Sequence, residues 1–252
     1  MGADTVSIGI LIPAFIAGVL VTATHVPLGF EVLKRGIVFI DLAIAQIAGV
    51  GVILADFLGW DAHGAAVQMA ALAAALSAAM MLTWTERHWP EVQEAIIGVV
   101  FMLGSTAAIL LLASNPHGGE HLKDLLIGQI LWANPTNLPL EALAYAAILA
   151  AWFGLGDRLG RIGFYALFAC AVTISVQLVG LYLVFATLIV PALGTRYAAR
   201  RRYLKAYAIG TLGYALGLLA SLWLDLPSGA MIVWAMALIA MLAAGLERRA
   251  AG

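Results

Sequence analysis

Long apolar stretches, separated by short charged ones, dominate this sequence. A helix needs about 20 mainly apolar residues to cross a hydrocarbon core roughly 30 Å thick. Seven stretches meet this requirement as single crossings and are predicted to be membrane-spanning helices. They are Val6–Phe30, Gly36–Leu58, Ala65–Trp84, Ala95–Ser114, Leu138–Leu155, Tyr207–Leu224 and Ala230–Leu246. The pattern therefore predicts an all-α, polytopic membrane protein.

An eighth stretch, Ile162–Thr195, contains no charged residue over its 34 positions. As one helix it would be about 51 Å long at 1.5 Å per residue, which is long for one crossing and short for two. Gly180 is its natural break. We therefore predict eight or nine helical segments, including a hairpin or re-entrant pair around Gly180.

The positive charges predict the orientation, because Lys and Arg gather in short cytoplasmic loops. Placing Lys34 and Arg35 inside puts the N-terminus outside. The cluster at Arg196–Lys205 is then inside only if Ile162–Thr195 crosses an even number of times, or enters and returns. In this arrangement 12 of the 13 Lys and Arg residues are cytoplasmic, Lys123 being the exception. The N-terminus is predicted outside and the C-terminus inside.

A polar segment, Asn115–Asn137, lies on the outer face in this arrangement. Its short apolar part, Leu125–Ala133, cannot span a bilayer and is predicted to be an interfacial or re-entrant helix.

The composition supports a membrane protein and argues against nucleic-acid binding. The chain is 63% hydrophobic and 11% charged, whereas soluble domains average about 25% charged residues. Its net charge of −1 gives no indication of nucleic-acid binding. We predict a single transmembrane domain over residues 1–252. There is no Gly-Lys-Ser/Thr phosphate loop, so any ATP that drives this protein is hydrolysed on another chain.

Ionisable and amide side chains inside the spans are candidates for a transport pathway. Asp41 and Gln46 lie in the second predicted span, some 140° apart around a helix. The alternative for Asp41 is a salt bridge with Lys34 or Arg35, and the alternative for Gln46 is a hydrogen bond between helices.

His25 and Glu31 are two further pathway candidates, near the inner end of the first span. Pro27 lies between them and would leave a backbone carbonyl without its helical donor. Both side chains could instead lie at the membrane interface.

The outer segment carries a second group of candidates, with two histidines and two carboxylates within eight residues. Imidazole and carboxylate are ordinary ligands of zinc and other first-row metals. The group is predicted to contact the metal, or to dock a delivery protein, at the outer face. It consists of His117, Glu120, His121 and Asp124.

Two carboxylates in the inner loop, Glu91 and Glu94, precede the fourth span. Acidic residues at a helix N-terminus are favoured by the helix dipole, and this role is preferred over catalysis. No Ser/His/Asp, Cys/His or His-Glu-x-x-His arrangement indicates hydrolytic chemistry.

Several segments together resemble the permease family of zinc and manganese ABC importers, which is related to cobalamin and siderophore permeases. The resemblance covers most of the chain. The segments are GFEVLKRGIVFIDLAIAQIAGVG (Gly29–Gly51), EAIIG (Glu94–Gly98), PHGGEHLKDLLIGQILW (Pro116–Trp132), VQLVGLYLVFATLIVPALGTR (Val176–Arg196) and DLPSGAMIV (Asp225–Val233).

This resemblance implies a bacterial inner-membrane permease, not itself an enzyme, that works as a homodimer. It implies two cytoplasmic ATPase subunits, an extracytoplasmic metal-binding protein and no permanently bound cofactor. The transported ion is expected to be zinc first and manganese next. Residues expected to contact the ATPase lie in two inner segments, 154–161 and 195–205. They are Arg158, Arg161, Arg196 and Arg200.

Two departures from the family pattern bear on these expectations. Many members carry Asp and, four residues later, His in the second span as metal ligands; here Asp41 matches, but position 45 is Ala45. Oxygen ligands suit manganese better than zinc. The inner loop Gly154–Arg161 is also shorter than the family's usual ATPase-contacting segment.

A transporter of a different class is the alternative. An ion-coupled secondary transporter that works without an ATPase would need buried carboxylates, and Asp41, Asp56 and Glu141 are the candidates.

Overall fold

The computed structural model describes residues 2–60, 64–112, 130–198 and 200–251. Over these ranges it contains nine α-helices and three short 3₁₀ turns, at Pro90–Val92, Ile130–Trp132 and Gly156–Leu159. The α-helices are α1 Gly2–Arg35, α2 Ile40–Phe57, α3 Ala65–His88, α4 Gln93–Leu112, α5 Leu138–Leu155, α6 Gly160–Val179, α7 Leu181–Gly194, α8 Arg202–Leu224 and α9 Ser228–Ala251.

Eight of these described helices are long and apolar enough to cross a membrane, α7 being the exception. The prediction of an all-α protein with eight or nine helical segments is therefore confirmed. The orientation, with the N-terminus outside and the C-terminus inside, stays a prediction.

Gly180 separates α6 from α7, as the sequence predicts. Its φ of 85° lies in a region that residues with a Cβ rarely adopt. Its carbonyl accepts the Val184 N–H at 3.1 Å, so a new helix starts at this point. The 14 residues of α7 give a length of about 21 Å at 1.5 Å per residue, less than the hydrocarbon thickness of a bilayer. A single straight helix over 162–195 is therefore excluded.

Several helices extend beyond their predicted spans. The first helix continues to Arg35 rather than ending at Phe30, and α3 continues to His88 rather than Trp84. The fourth predicted span, Ala95–Ser114, corresponds to α4. Long basic side chains can keep their stems on apolar surface and their charges in water, so a helix need not end where its charges begin.

Contacts group the residues into two compact units that interleave along the chain. The first unit comprises Met1–Arg35, Ile127–Ala147 and Leu178–Gly252, and the second comprises Gly36–Leu126 and Ile148–Gln177. Each is described by itself below. The single permease domain over residues 1–252 stays a prediction.

In the first unit, glycines on α8 allow neighbouring helices to approach closely. A Cβ added to Gly217 would lie 2.3 Å from the Cα of Ile232 on α9. A Cβ on Gly213 would lie 2.8 Å from Met236, one turn further along α9. Small residues at such spacing let helix backbones pack without the hydrophobic driving force that water supplies.

Pro27 lies inside α1 without ending the helix, and a tyrosine of α8 satisfies the backbone group that it frees. Proline has no N–H, so the carbonyl four residues earlier, on Ala23, loses its helical donor. The Tyr207 hydroxyl donates a hydrogen bond to this Ala23 oxygen at 3.1 Å. The tyrosine in α8 therefore replaces the hydrogen-bond donor that the proline removes from α1.

We expect Tyr207→Phe to lower the free energy of unfolding by about 1 kcal/mol, because it leaves the Ala23 carbonyl unpaired. Thermal unfolding in detergent micelles should show a midpoint about 2–4 °C lower. Tyr203→Phe is the matched control, since the Tyr203 ring packs edge-on against Phe30 at 4.7 Å and this contact survives the change. Equal midpoints for the two variants would contradict this role of Tyr207.

In the second unit, α2 packs against both α3 and α4. A Cβ on Gly51 of α2 would lie 2.8 Å from the Ala70 carbonyl oxygen on α3. A Cβ on Gly104 of α4 would lie 3.0 Å from Ile47 and 3.1 Å from Gln46. The second span, which carries two of the pathway candidates, is therefore held on two sides.

Candidate functional site

Asp41 is the second residue of α2 and is fully buried in the second unit. Neither carboxylate oxygen has a hydrogen-bond partner among the residues that the structure describes. A buried carboxyl group normally has a partner, because removing it from water without one is costly. Lys34 and Arg35, its alternative partners, both contact Glu31, at 3.8 and 2.8 Å. The salt bridge that the sequence offered as the alternative role of Asp41 is therefore not among the described contacts.

Gln46 lies further along α2 and is 8% exposed. Its Oε1 accepts a hydrogen bond from the Ser105 hydroxyl on α4 at 3.2 Å. This contact is the bond between helices that the sequence offered as the alternative to a pathway role. A side-chain amide has further hydrogen-bonding capacity beyond this single bond, so the contact does not exclude a polar role for Gln46.

Glu94, in the first turn of α4, forms a hydrogen bond with the backbone at the start of α2. Its Oε1 accepts the backbone N–H of Phe39 at 3.3 Å, immediately before α2 begins. The sequence placed Glu94 only at the N-terminus of its own helix. The structure adds a contact to residues 55 positions earlier, close to Asp41 in the chain.

His25 is fully buried in α1, within the first unit. Its Nδ1 lies 3.0 Å from the Val21 carbonyl oxygen and 3.1 Å from the Thr24 hydroxyl. A carbonyl can only accept, so we assign the proton to Nδ1, which leaves Nε2 with its lone pair. Nε2 is buried and has no hydrogen-bond partner within the described ranges. A neutral imidazole oriented in this way is a suitable metal ligand.

Glu31 differs from His25, although both lie on α1. Its carboxylate pairs with Arg35 and, more weakly, with Lys34, one turn further along the same helix. This geometry gives Glu31 an ion pair at the end of the helix, with the two basic residues that the sequence offered as partners of Asp41. The position of Glu31 at the membrane interface, its alternative role, stays a prediction.

The four pathway candidates divide between the two units. The structure places His25 and Glu31 in the first unit and Asp41 and Gln46 in the second. Among the described residues, no group of three or more His, Cys, Asp or Glu side chains could hold a metal ion. The four outer candidates, His117, Glu120, His121 and Asp124, lie outside the described residues.

The four arginines that are expected to contact the ATPase lie at two turns between helices. Arg158 is exposed in the four-residue 3₁₀ turn Gly156–Leu159, and Arg161 follows at the start of α6. This connection holds no α-helix, which agrees with the short loop seen in the sequence. Arg196 and Arg200 are exposed between α7 and α8. Arg196 donates a hydrogen bond to the Tyr197 hydroxyl at 2.8 Å.

A buried glutamine that the sequence did not single out joins three helices of the second unit. Gln93, at the start of α4, is 3% exposed. It accepts a hydrogen bond from Thr85 at 2.9 Å and donates to the Leu82 carbonyl at 3.0 Å. Its amide also donates to the Tyr165 hydroxyl of α6 at 3.4 Å. In the sequence, Gln93 lies between Glu91 and Glu94 in a polar segment that separates two predicted spans. Nothing in this pattern predicts that the glutamine is buried.

Comparison with known proteins gives a family and a fold. The family model described as "ABC 3 transport family" matches residues 7–155 and 139–246. No curated protein that was searched matches the chain.

Two solved structures are similar over most of the chain. PsaBC from Streptococcus pneumoniae, solved in complex with Fab, has a TM-score of 0.73 and 21% identity, with 93% of this chain and 89% of that chain covered. A metal-chelate type ABC transporter in an inward-facing conformation has a TM-score of 0.70 and 15% identity, with 94% and 85% covered. At sequence identities of 21% and 15%, these two comparisons establish a similar fold and do not by themselves assign a function.

Proposed function

This chain belongs to the ABC 3 transport family, and we propose that it is the membrane subunit of an ATP-driven importer of divalent metal ions. The sequence resemblance to permeases of zinc and manganese importers is confirmed at the level of the family. The chain is therefore an ABC transporter permease with multiple membrane-spanning helices. Its substrate, its direction and its partners are proposals.

The buried carboxylate of Asp41 is the observation that carries the proposal. An ionisable group inside a membrane span is costly, and it is retained where it serves a substrate pathway. Asp41 is fully buried and neither of its oxygens has a described partner. A divalent cation that passes α2 would supply the compensating charge.

The ligand chemistry supports two metals to different degrees. Carboxylate and amide oxygens, which Asp41 and Gln46 provide, suit manganese. An imidazole suits zinc, and the buried Nε2 of His25 is one such donor. We propose zinc as the first substrate and manganese as the next.

Energy for transport comes, in this proposal, from ATPase subunits on separate chains. The turn at Gly156–Leu159 is short, so we propose that the segment from Thr195 to Lys205 carries part of the coupling. Its exposed arginines would provide ion pairs to an acidic ATPase surface. A homodimer of this permease in the bacterial inner membrane, supplied by an external metal-binding protein, completes the proposed complex.

The alternative, a secondary transporter, receives less support. Family membership favours ATP as the energy source. Asp56, one of its three candidate carriers, is exposed at the end of α2. The Oε2 atom of Glu141 is buried without a described hydrogen-bond partner, which is the feature that still favours the alternative.

Co-purification from native membranes tests the proposed assembly. The tagged chain, expressed with its genomic neighbours, should recover ATPase subunits whose ATP hydrolysis rises when the metal-loaded external protein is added. A chain that purifies alone and moves metal ions across vesicles without ATP would reject the proposal in favour of the secondary transporter.

A further inference from the structure

A cavity of about 840 Å³ opens in the second unit between the end of α3 and the start of α6. Its walls combine large apolar side chains with two arginines. The residues that matter most are Met80, Trp84, Arg87, Arg161 and Ile162. We propose that this cavity, the interfacial pocket, binds the headgroup and first acyl carbons of an anionic phospholipid of the inner leaflet.

The apolar wall of the pocket is exposed and requires an apolar occupant. Met80, Trp84 and Ile162 are 62%, 52% and 70% exposed. Side chains of this size on membrane-spanning helices are covered by lipid or by protein, because large apolar patches are unfavourable in water. The occupant must therefore carry hydrocarbon.

The opposite end of the pocket is cationic. Met80 and Arg87 lie seven positions apart on α3, which corresponds to about 10 Å along the helix axis. Arg161 lies across the pocket and contacts Glu86 at 3.4 Å. Two guanidinium groups and this carboxylate leave one net positive charge. A phosphodiester carries one negative charge, and guanidinium groups bind phosphate with directed, charge-assisted hydrogen bonds.

This charge balance favours anionic over zwitterionic lipids. A choline or ethanolamine headgroup would bring its own positive charge towards Arg87 and Arg161. Phosphatidylglycerol brings none. The cationic end also lies in the loops predicted to be cytoplasmic, where the leaflet carries anionic lipid.

Aromatic residues indicate that the pocket lies at the depth of the lipid headgroups. The ring of Trp84 packs edge-on against Trp89 at 5.1 Å and lies 4.6 Å from the ring of His88. Tryptophan is enriched at this depth because its ring is apolar and its N–H is polar. The pocket therefore presents its groups in the same order as a phospholipid. The apolar wall would meet the acyl chain, the aromatic pair would lie at the depth of the headgroups, and the arginines would meet the phosphate.

The proposal predicts that the purified full chain retains phosphatidylglycerol in preference to phosphatidylcholine. Native mass spectrometry from mixed micelles of the two lipids measures this retention. We expect a preference of about tenfold, and its loss in the double variant Arg87→Gln, Arg161→Gln. Arg158→Gln is the matched control, since it removes an exposed arginine from the adjoining turn, outside the pocket, and should keep the preference.

A second measurement keeps both arginines of the pocket and does not depend on the folding of the double variant. Phosphatidylglycerol with brominated acyl chains should quench the fluorescence of Trp84, obtained as the difference between the wild-type chain and Trp84→Phe. Brominated phosphatidylcholine should quench it less.

Three results would overturn the lipid assignment. The first is equal retention or equal quenching by the two lipids. The second is release of phosphatidylglycerol by millimolar inorganic phosphate, which would indicate a site for a free anion. The third is displacement of phosphatidylglycerol by the purified ATPase subunit, which would make the pocket a protein-docking surface. None of these results bears on which ion is transported, so the lipid site and the proposed transport function fail separately.

Discussion

Asp41→Asn should reduce ATP-dependent metal uptake by about 100-fold or more, while the protein still inserts into the membrane and folds. Loss of a group that only orients a metal ligand costs about 10–100-fold in metal affinity, and a direct ligand should cost at least as much. The amide has nearly the same shape as the carboxylate, so packing around α2 is preserved. Uptake in vesicles that contain the complete transporter is the measurement.

Stability separates a functional role of Asp41 from a structural one. The carboxylate is fully buried and neither oxygen has a described hydrogen-bond partner. Its removal therefore breaks no described bond, and the unfolding midpoint of Asp41→Asn should equal or exceed that of the wild-type chain. A residue that served only the fold would show the reverse pattern, with lower stability and normal uptake per folded molecule.

Asp56→Asn is the matched control for this experiment. Asp56 is the penultimate residue of the same helix and is exposed. The same chemical change at that position should leave uptake within about twofold of the wild-type chain, because surface substitutions cost little. Equal losses of uptake in the two variants would remove Asp41 from the pathway.

The second large effect concerns the packing of α1 against α7. Gly29 lies so close to α7 that an added Cβ would be 1.9 Å from the Leu188 carbonyl oxygen. Because this neighbour is backbone, no rotamer change can relieve the clash, and the helices must move apart. Gly29→Ala should lower the free energy of unfolding by about 3 kcal/mol, the upper end of the usual cost of overpacking.

Thermal unfolding in detergent measures this effect, with an expected decrease of about 6–12 °C in the midpoint. Gly98→Ala is the control, since Gly98 also lies inside a membrane-spanning helix but has no atom within 4 Å of an added Cβ. Alanine should be neutral or slightly stabilising there, because it has the higher helix propensity. An equal decrease in both variants would show that the contact with Leu188 is not the cause.

Features with a large free-energy cost were predictable from the sequence alone. A charged group inside a span is expensive, so Asp41 was identifiable before its surroundings were known. The break at Gly180 followed from the placement of basic residues on one side of the membrane. In both cases the lipid environment leaves few alternatives for the chain.

Contacts between distant residues could not be predicted in this way. The hydrogen bond from Ser105 to Gln46 joins residues 59 positions apart. The bond from Tyr207 to Ala23 joins residues 184 positions apart. Neither serine nor tyrosine has a distinctive place in the hydrophobic pattern. Proline at position 27 predicts that one carbonyl needs a donor, but not which helix supplies it.

The arrangement of candidate ligands was also beyond the sequence. Glu31 and His25 are six residues apart on α1, and the pattern treated them alike. The structure pairs Glu31 with Arg35 and buries His25 with Nε2 unpartnered among the described residues. The difference arises because Arg35 lies one turn from Glu31, where opposite charges on a helix meet.

Accumulation of metal by proteoliposomes tests the central proposal most directly. The vesicles hold this chain with its ATPase subunits, and the external metal-binding protein is supplied on the opposite side from ATP. We predict that zinc or manganese accumulates against its gradient with ATP, and not with an ATPase variant unable to hydrolyse it. Accumulation at the same rate without ATP, or from vesicles that lack the ATPase, would contradict the assignment of this chain as an ABC importer permease.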